Sequence, residues 1–229
     1  MPSLNLPEPM NSLLKGLESR AVTNFYGEAG TGKTNLCLLA AIECARNNGK
    51  VIFIDTEGGF SLERLKQITP DHMDVLKRIE LLEPRDFREQ GKIIRNLREK
   101  EADLIILDSA VALYRLDYSE PERESQGVSR ELAKQMAILS SIARKRGIPV
   151  IATGHVFRNW STESNEIVGG GSLKYWSKAI VFLEKTGKMS ERRATIIKHR
   201  WLPEGESVKF MIKQDGIGPS AGFRLIRRP

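Results

Sequence analysis

No apolar run in this 229-residue chain approaches the roughly 20 residues needed to span a bilayer. The opening MPSLNLPEPM lacks the basic and then apolar stretch of a secretory signal, so a cytoplasmic protein with no membrane attachment is expected. Cysteine is scarce. Cys37 and Cys44 are the only two, and their spacing of seven is close to two helical turns, which puts both thiols on about one face. Such a pair suits buried packing better than a disulfide or a metal site. The three histidines are scattered and give no zinc signature. Fixed-period repeats and extended low-complexity segments are missing too, leaving a solenoid without a basis.

What is present fits one α/β domain over residues 1–229, with a short N-terminal lead-in and a basic C-terminal tail carrying Arg224, Arg227 and Arg228. A chain of this size supports a substantial core without metal or disulfide staples. With 40% hydrophobic and 28% charged residues, disorder is not expected. The net charge of +7 permits nucleic-acid binding without requiring it, because a basic surface also serves solubility or attraction to any acidic partner.

The strongest local signal is Gly27-Glu28-Ala29-Gly30-Thr31-Gly32-Lys33-Thr34, a complete GxxxxGKT pattern. It follows a strand-like Val22-Thr23-Asn24-Phe25-Tyr26 and precedes an apolar helix beginning near Asn35, the context such a loop requires. The glycines permit a tight wrap whose N–H groups face phosphate oxygens, and the helix adds its positive N-terminal end. Lys33 is placed to reach the β- and γ-phosphates of ATP, and Thr34 to put its hydroxyl on Mg²⁺.

Next, Lys50-Val51-Ile52-Phe53-Ile54-Asp55 reads as a buried parallel strand delivering Thr56-Glu57-Gly58-Gly59-Phe60 at its carboxyl end, where open α/β sheets gather ligands. Glu57 is a candidate general base or water-positioning group. Asp55 serves either a metal shell or the strand-end geometry. Ser61 reads as a helix cap, although the acidic residue of a capping box falls one position early. The run Ala102 to Leu107 ends in Asp108, the candidate for the Mg²⁺ water shell, while Asp103 sits at the entry end and caps or solvates that edge.

Phe87, Gly91, Ile94 and Leu97 mark one face of a crossover helix, and Val128, Leu132, Met136, Leu139, Ile142 and Ala143 mark a second. Gly147-Ile148-Pro149 ends that helix before the strand Val150 to Thr153. Strands over 179–183, 193–197 and 208–212 are expected to complete the same sheet. Alternating helix and strand predicts a mostly parallel central sheet with helices on both faces.

The runs Tyr26 to Asn35 and Phe53 to Phe60, with Leu107-Asp108-Ser109, resemble the ATPase core of the RecA/RadA recombinases, and most nearly their short archaeal RadB paralogues. The resemblance extends from Asn11 through Ile217 and includes Gly169-Gly170-Gly171, Lys185 and Leu202-Pro203-Glu204-Gly205. It implies a RecA-like P-loop fold, weak Mg²⁺-dependent ATPase activity, Glu57 at the hydrolytic water and Arg64 near adenine; read unaided, Arg64 is a solvated helix arginine. It also implies DNA, single-stranded or branched, and a RadA-type recombinase as partners, and leaves a homo-oligomer open. Thr153-Gly154-His155-Val156 matches a strand end where ordinary recombinases carry glutamine. At that position His155 would relay between the γ-phosphate side and a DNA-binding loop, or else satisfy a local polar contact.

The segment from Phe157 to Lys178 reads as a polar and aromatic loop that resembles the second DNA-binding loop of these proteins. Arg158, Lys174 and Lys178 offer phosphate contacts, and Trp160, Tyr175 and Trp176 offer stacking surfaces. The same composition serves a protein interface. The short segment ahead of the P-loop leaves no room for the N-terminal domain of RadA, so an accessory role is expected. Two alternatives stay open: a nucleotide-regulated protein-interaction module without DNA binding, and a small-molecule P-loop kinase.

Overall fold

The computed structural model describes residues 3–117, 122–159, 164–220 and 225, with backbone alone at 122–125, 158, 159, 164 and 165. The strands are β1 (Val22–Gly27), β2 (Val51–Asp55), β3 (Ile79–Leu82), β4 (Leu104–Asp108), β5 (Val150–Gly154), β6 (Val156–Asn159), β7 (Ser164–Ile167), β8 (Ala179–Lys185), β9 (Glu191–Lys198), β10 (Ser207–Lys213) and β11 (Gly216–Pro219). The helices are α1 (Met10–Leu14), α2 (Lys33–Arg46), α3 (Leu62–Ile68), α4 (His72–Leu76), α5 (Phe87–Asn96), α6 (Ala112–Asp117), α7 (Glu122–Arg146) and α8 (Gly170–Trp176).

Nine strands form one sheet in the order β11-β10-β9-β8-β1-β5-β4-β2-β3. From β3 to β8 every pairing is parallel, and from β8 to β11 every pairing is antiparallel. The two halves differ because helices cross over between the parallel strands, whereas β8 to β11 are joined by turns.

Period-2 alternation distributes each central strand between two cores. In β2, Ile52 and Ile54 join α5, α6, α7 and α8 on one face. Val51 and Phe53 join α1 and α2 on the other. The helical stripe expected over 128–143 lies in the first core, and Gly147 ends α7 with a φ of +72°. Cys37 and Cys44 are free and buried on α2, and burial pushes the Cys44 thiol up to about 12. Ser61 caps α3 by accepting from Arg64 N at 3.1 Å.

Three elements depart from the expected pattern. Edge strand β3, Ile-Glu-Leu-Leu, is too short and too charged at its flanks to be read from periodicity. Strand β11 follows the 214–215 turn and closes the antiparallel edge. The segment expected as a loop from Phe157 to Lys178 instead holds the paired strands β6 and β7, then helix α8. Among the described residues no helix is long and apolar enough to cross a membrane.

Candidate nucleotide site and the adjoining cleft

Residues 27–34 join β1 to α2, and α2 begins at Lys33, two residues before the expected start. Gly30 and Gly32 have φ of +74° and +98°, a left-handed backbone that a side chain would strain. Gly27 is required for a different reason. A Cβ there would lie 2.2 Å from the Leu183 carbonyl oxygen of β8, so its absence lets the two strands close at the mouth of the loop. Thr31 Oγ1 donates to Glu28 O at 2.8 Å, pinning the turn, while the Glu28 and Ala29 side chains face solvent. No side chain caps the N-terminus of the 14-residue α2. Its first amides are therefore free for an anion.

Lys33 Nζ folds back over the loop, donating to Gly27 O at 2.9 Å and Glu28 O at 3.0 Å. Burial lowers its pKa, opposed by the nearby negative charges of Asp108 and Glu57. Asp108 is buried at the end of β4, where desolvation raises its pKa and the hydroxyls of Thr153 and Thr34 hold it down. The carboxylate accepts from Thr153 Oγ1. Thr34 and Asp108 thus face each other across the loop. Among the described residues there is no cluster of three His, Cys, Asp or Glu that would hold a metal by itself. A cation at Thr34 and Asp108 would need phosphate and water oxygens to complete its shell.

Asp55 takes the second of its two expected roles. Its buried carboxylate accepts from the amides of Glu57, Gly59 and Phe60 at 3.1, 3.1 and 2.7 Å, which shapes the loop beyond β2. That loop projects Glu57, whose Oε1 lies 2.6 Å from His155 Nε2 at the end of β5. The His155 hydrogen bond lowers the Glu57 pKa, with Ser109 and Lys33 adding to it and burial opposing. Thr56 Oγ1 exchanges hydrogen bonds with the backbone of Ser109, and the Asp108–Ser109 peptide is cis.

Asn35 and Arg64 are engaged with one another. Arg64 Nε donates to Asn35 Oδ1 at 2.9 Å, and its terminal nitrogens donate to the carbonyls of Lys213 and Gln214 at 2.7 Å. Asn35 Nδ2 donates to Gly216 O at 3.3 Å. Together they clamp the β10–β11 turn against α2 and α3, so Arg64 is a bracing group at the rim, not a solvated arginine. Two further cations, invisible to local pattern, flank the loop. Arg192 Nε donates to Gly30 O at 2.8 Å, and a Cβ on Gly30 would lie 3.7 Å from Lys185 Nζ. They come together because Lys185 pairs with Arg192 across β8 and β9. The resemblance had marked Lys185; nothing in the sequence marked Arg192.

On the α6–α8 side lies an open cleft of about 760 Å³, walled by Tyr114 and Arg115 of α6, Leu132 of α7, Phe157 and Glu166 of the β6–β7 hairpin, and Lys174 of α8. Tyr175 is 70% exposed beside it. Trp176, its edge-to-face neighbour at 5.0 Å, packs on the core instead. Lys174 is exposed and Lys178 half-buried. The Arg158 side chain and all of Trp160 lie outside the described residues, as do Arg224, Arg227 and Arg228.

The sequence profile of the Rad51 family matches residues 7–220. DNA repair and recombination protein RadB of Methanococcoides burtonii is 44% identical over 92% of this chain and 94% of its own length. The chain belongs to the Rad51 family, in its archaeal RadB branch. The RadB proteins of Methanothermobacter thermautotrophicus and Methanobrevibacter smithii are 39% and 37% identical, covering 88% and 90% of this chain and 89% and 91% of their own. A solved structure described as the crystal structure of the RadB recombinase superposes with a TM-score of 0.82 at 35% identity, over 96% of this chain and all of that one. The RecA-like sheet flanked by helices is therefore that of the RadB branch.

Proposed function

We propose that this RadB-branch protein binds Mg–ATP in the 27–34 loop, hydrolyses it slowly, and binds DNA along the α6–α8 cleft as an accessory to a RadA-type recombinase in recombination and repair. The observation that carries the reading is the convergence of Lys33, Thr34, Glu57 and Asp108 at the carboxyl ends of the parallel strands β1, β4 and β2, with β5 between β1 and β4, around an uncapped helix start.

In this reading Lys33 exchanges the carbonyls of Gly27 and Glu28 for phosphate oxygens. The uncapped amides of α2 take further oxygens, while Thr34 and Asp108 hold the cation. Mg²⁺, when bound, supplies charge that neutralises the phosphate oxygens. Glu57, kept ionised by His155, accepts a proton from water. The named relatives supply the recombination and repair context: their descriptions assign them to DNA repair and recombination. Lys174 in the cleft wall and Tyr175 beside it supply a phosphate contact and a stacking face for exposed bases.

Calorimetry with Mg–ATP and anisotropy with single-stranded and duplex oligonucleotides test the two halves separately. Saturable binding of both ligands by the wild-type chain is expected. Absence of DNA binding in every nucleotide state at low salt, with nucleotide bound, would leave a nucleotide-regulated protein-interaction module in its place.

A further inference from the structure

Hydrogen bonds leave the Glu57 loop in two directions. One runs through the Glu57 side chain to His155, and the next residue, Val156, begins β6, whose Phe157 walls the cleft. The other runs to Ser109, whose hydroxyl bonds the Glu57 carboxylate and whose backbone is held by Thr56. Thr56 Oγ1 donates to Ser109 O at 3.0 Å and accepts from Ser109 N at 2.7 Å, while Thr56 N donates to Asp108 O at 2.8 Å. Ser109 is fully buried, and its own hydroxyl accepts from Ala112 N at 3.1 Å, at the start of α6. Tyr114 and Arg115, on that helix, line the same cleft.

We infer that Thr56 is a positioning residue, clasping the Ser109 backbone so that α6 moves in step with the loop bearing Glu57 and gives the cleft a second connection to that carboxylate beside His155; this role rests on Glu57 acting as proposed above. The chemistry is specific to a hydroxyl. One Thr oxygen donates and accepts at once, satisfying both the N–H and the C=O of a buried residue. Helix α6 has six residues, far too few to hold itself, so its place is set by its cap and its packing. Tyr114 supplies the packing, with its ring edge-on to Phe87 at 5.8 Å and its hydroxyl 3.2 Å from Ser129 Oγ. A displacement of Thr56 therefore reaches Arg115 and Tyr114 through two hydrogen-bonded steps.

The test uses the full chain and hydrogen exchange at Ala112–Asp117 and at Val156–Asn159, with and without Mg²⁺ and a non-hydrolysable ATP analogue. In the wild type the analogue alters exchange in both segments. Thr56→Val, which keeps the shape and deletes the hydroxyl, loses the α6 response and keeps the β6 response. His155→Ala does the reverse, and Thr56→Ser restores the wild-type pattern. Without nucleotide, Thr56→Val speeds exchange at Ala112–Asp117 by about tenfold or more, since it deletes both hydrogen bonds between the Thr56 hydroxyl and the Ser109 backbone. A wild-type α6 response in Thr56→Val, or Val and Ser variants that behave alike, overturns the inference. If calorimetry shows that no nucleotide binds, the proposed function falls by itself. The nucleotide-free comparison then decides, and unchanged α6 exchange in Thr56→Val overturns the positioning role.

Discussion

His155 Nε2 sits 2.6 Å from Glu57 Oε1, a contact between residues 98 positions apart that joins the end of β5 to the loop after β2. Parallel strands β4 and β5 set this distance, since β4 alone separates the two strand ends in the sheet. The histidine at this strand end pairs with the carboxylate directly.

The contact predicts a shift in pH dependence. Glu57 has a folded pKa below its ordinary value, chiefly through the His155 hydrogen bond. A carboxyl lowered in this way contributes stability above its unfolded pKa and loses it as pH falls through the folded pKa. His155→Ala brings Glu57 back toward the ordinary range. The acid limb of single-turnover hydrolysis is then expected at higher pH than in the wild type, and acid unfolding to begin at higher pH. Identical acid limbs in both proteins would contradict the pairing.

Lys33→Ala removes the ammonium that folds back over the loop while leaving the backbone amides in place. Mg–ATP affinity is expected to fall by at least about tenfold, the scale of hydrogen bonds to charged groups. Calorimetry on folded protein measures this, and equal affinities would remove Lys33 from the site.

Glu57→Gln keeps shape and an acceptor for His155 but deletes the base. Binding of Mg–ATP is expected to persist while hydrolysis falls by about 10²-fold or more, the range for a general base. Single-turnover phosphate release with confirmed occupancy decides. An unchanged rate would assign the proton transfer elsewhere.

Combined alanine replacement of Arg158, Lys174 and Lys178 is expected to weaken single-stranded DNA binding and reduce its salt slope by about 2, from about 0.7 per phosphate contact. Tyr175 and Trp176 are expected to part company. Tyr175→Ala weakens single-strand binding without lowering the melting temperature, because its ring is exposed; Trp176→Ala lowers the melting temperature because its ring packs on the core. Anisotropy across salt and thermal unfolding read the two effects.

Gly27→Ala places a methyl 2.2 Å from the Leu183 carbonyl and must push β1 from β8. A loss of about 3 kcal/mol is expected, at the upper end of overpacking costs. Gly171→Ala is the control: nothing lies within 4 Å of the added carbon, and the exposed helical site gains propensity. Urea unfolding of both variants distinguishes a steric role for Gly27 from conformational freedom alone.

The glycine-rich 27–34 loop, the strands ending in Asp55 and Asp108, and the apolar stripe of α7 were legible in the sequence because each is a local pattern: a motif of eight residues, a buried run, a helical period. Glu57 was marked by the same means and His155 by the resemblance. Their pairing was not, since only the order β2-β4-β5 brings the two strand ends together. Strand β3 escaped because a short edge strand carries little hydrophobic period, and the β6–β7 pair because alternation is weak in Val-Phe-Arg-Asn and Ser-Asn-Glu-Ile. Gly27 was marked as a phosphate-loop glycine, yet its decisive neighbour is the carbonyl of Leu183, far along the chain. Arg64, Arg192 and Thr56 gained their positions from the β10–β11 turn, from the β8–β9 pairing and from the Ser109 backbone. Sequence fixes what a residue can donate, accept or bury, but the partner that uses that capacity is supplied by strand order and helix packing, which are properties of the whole chain.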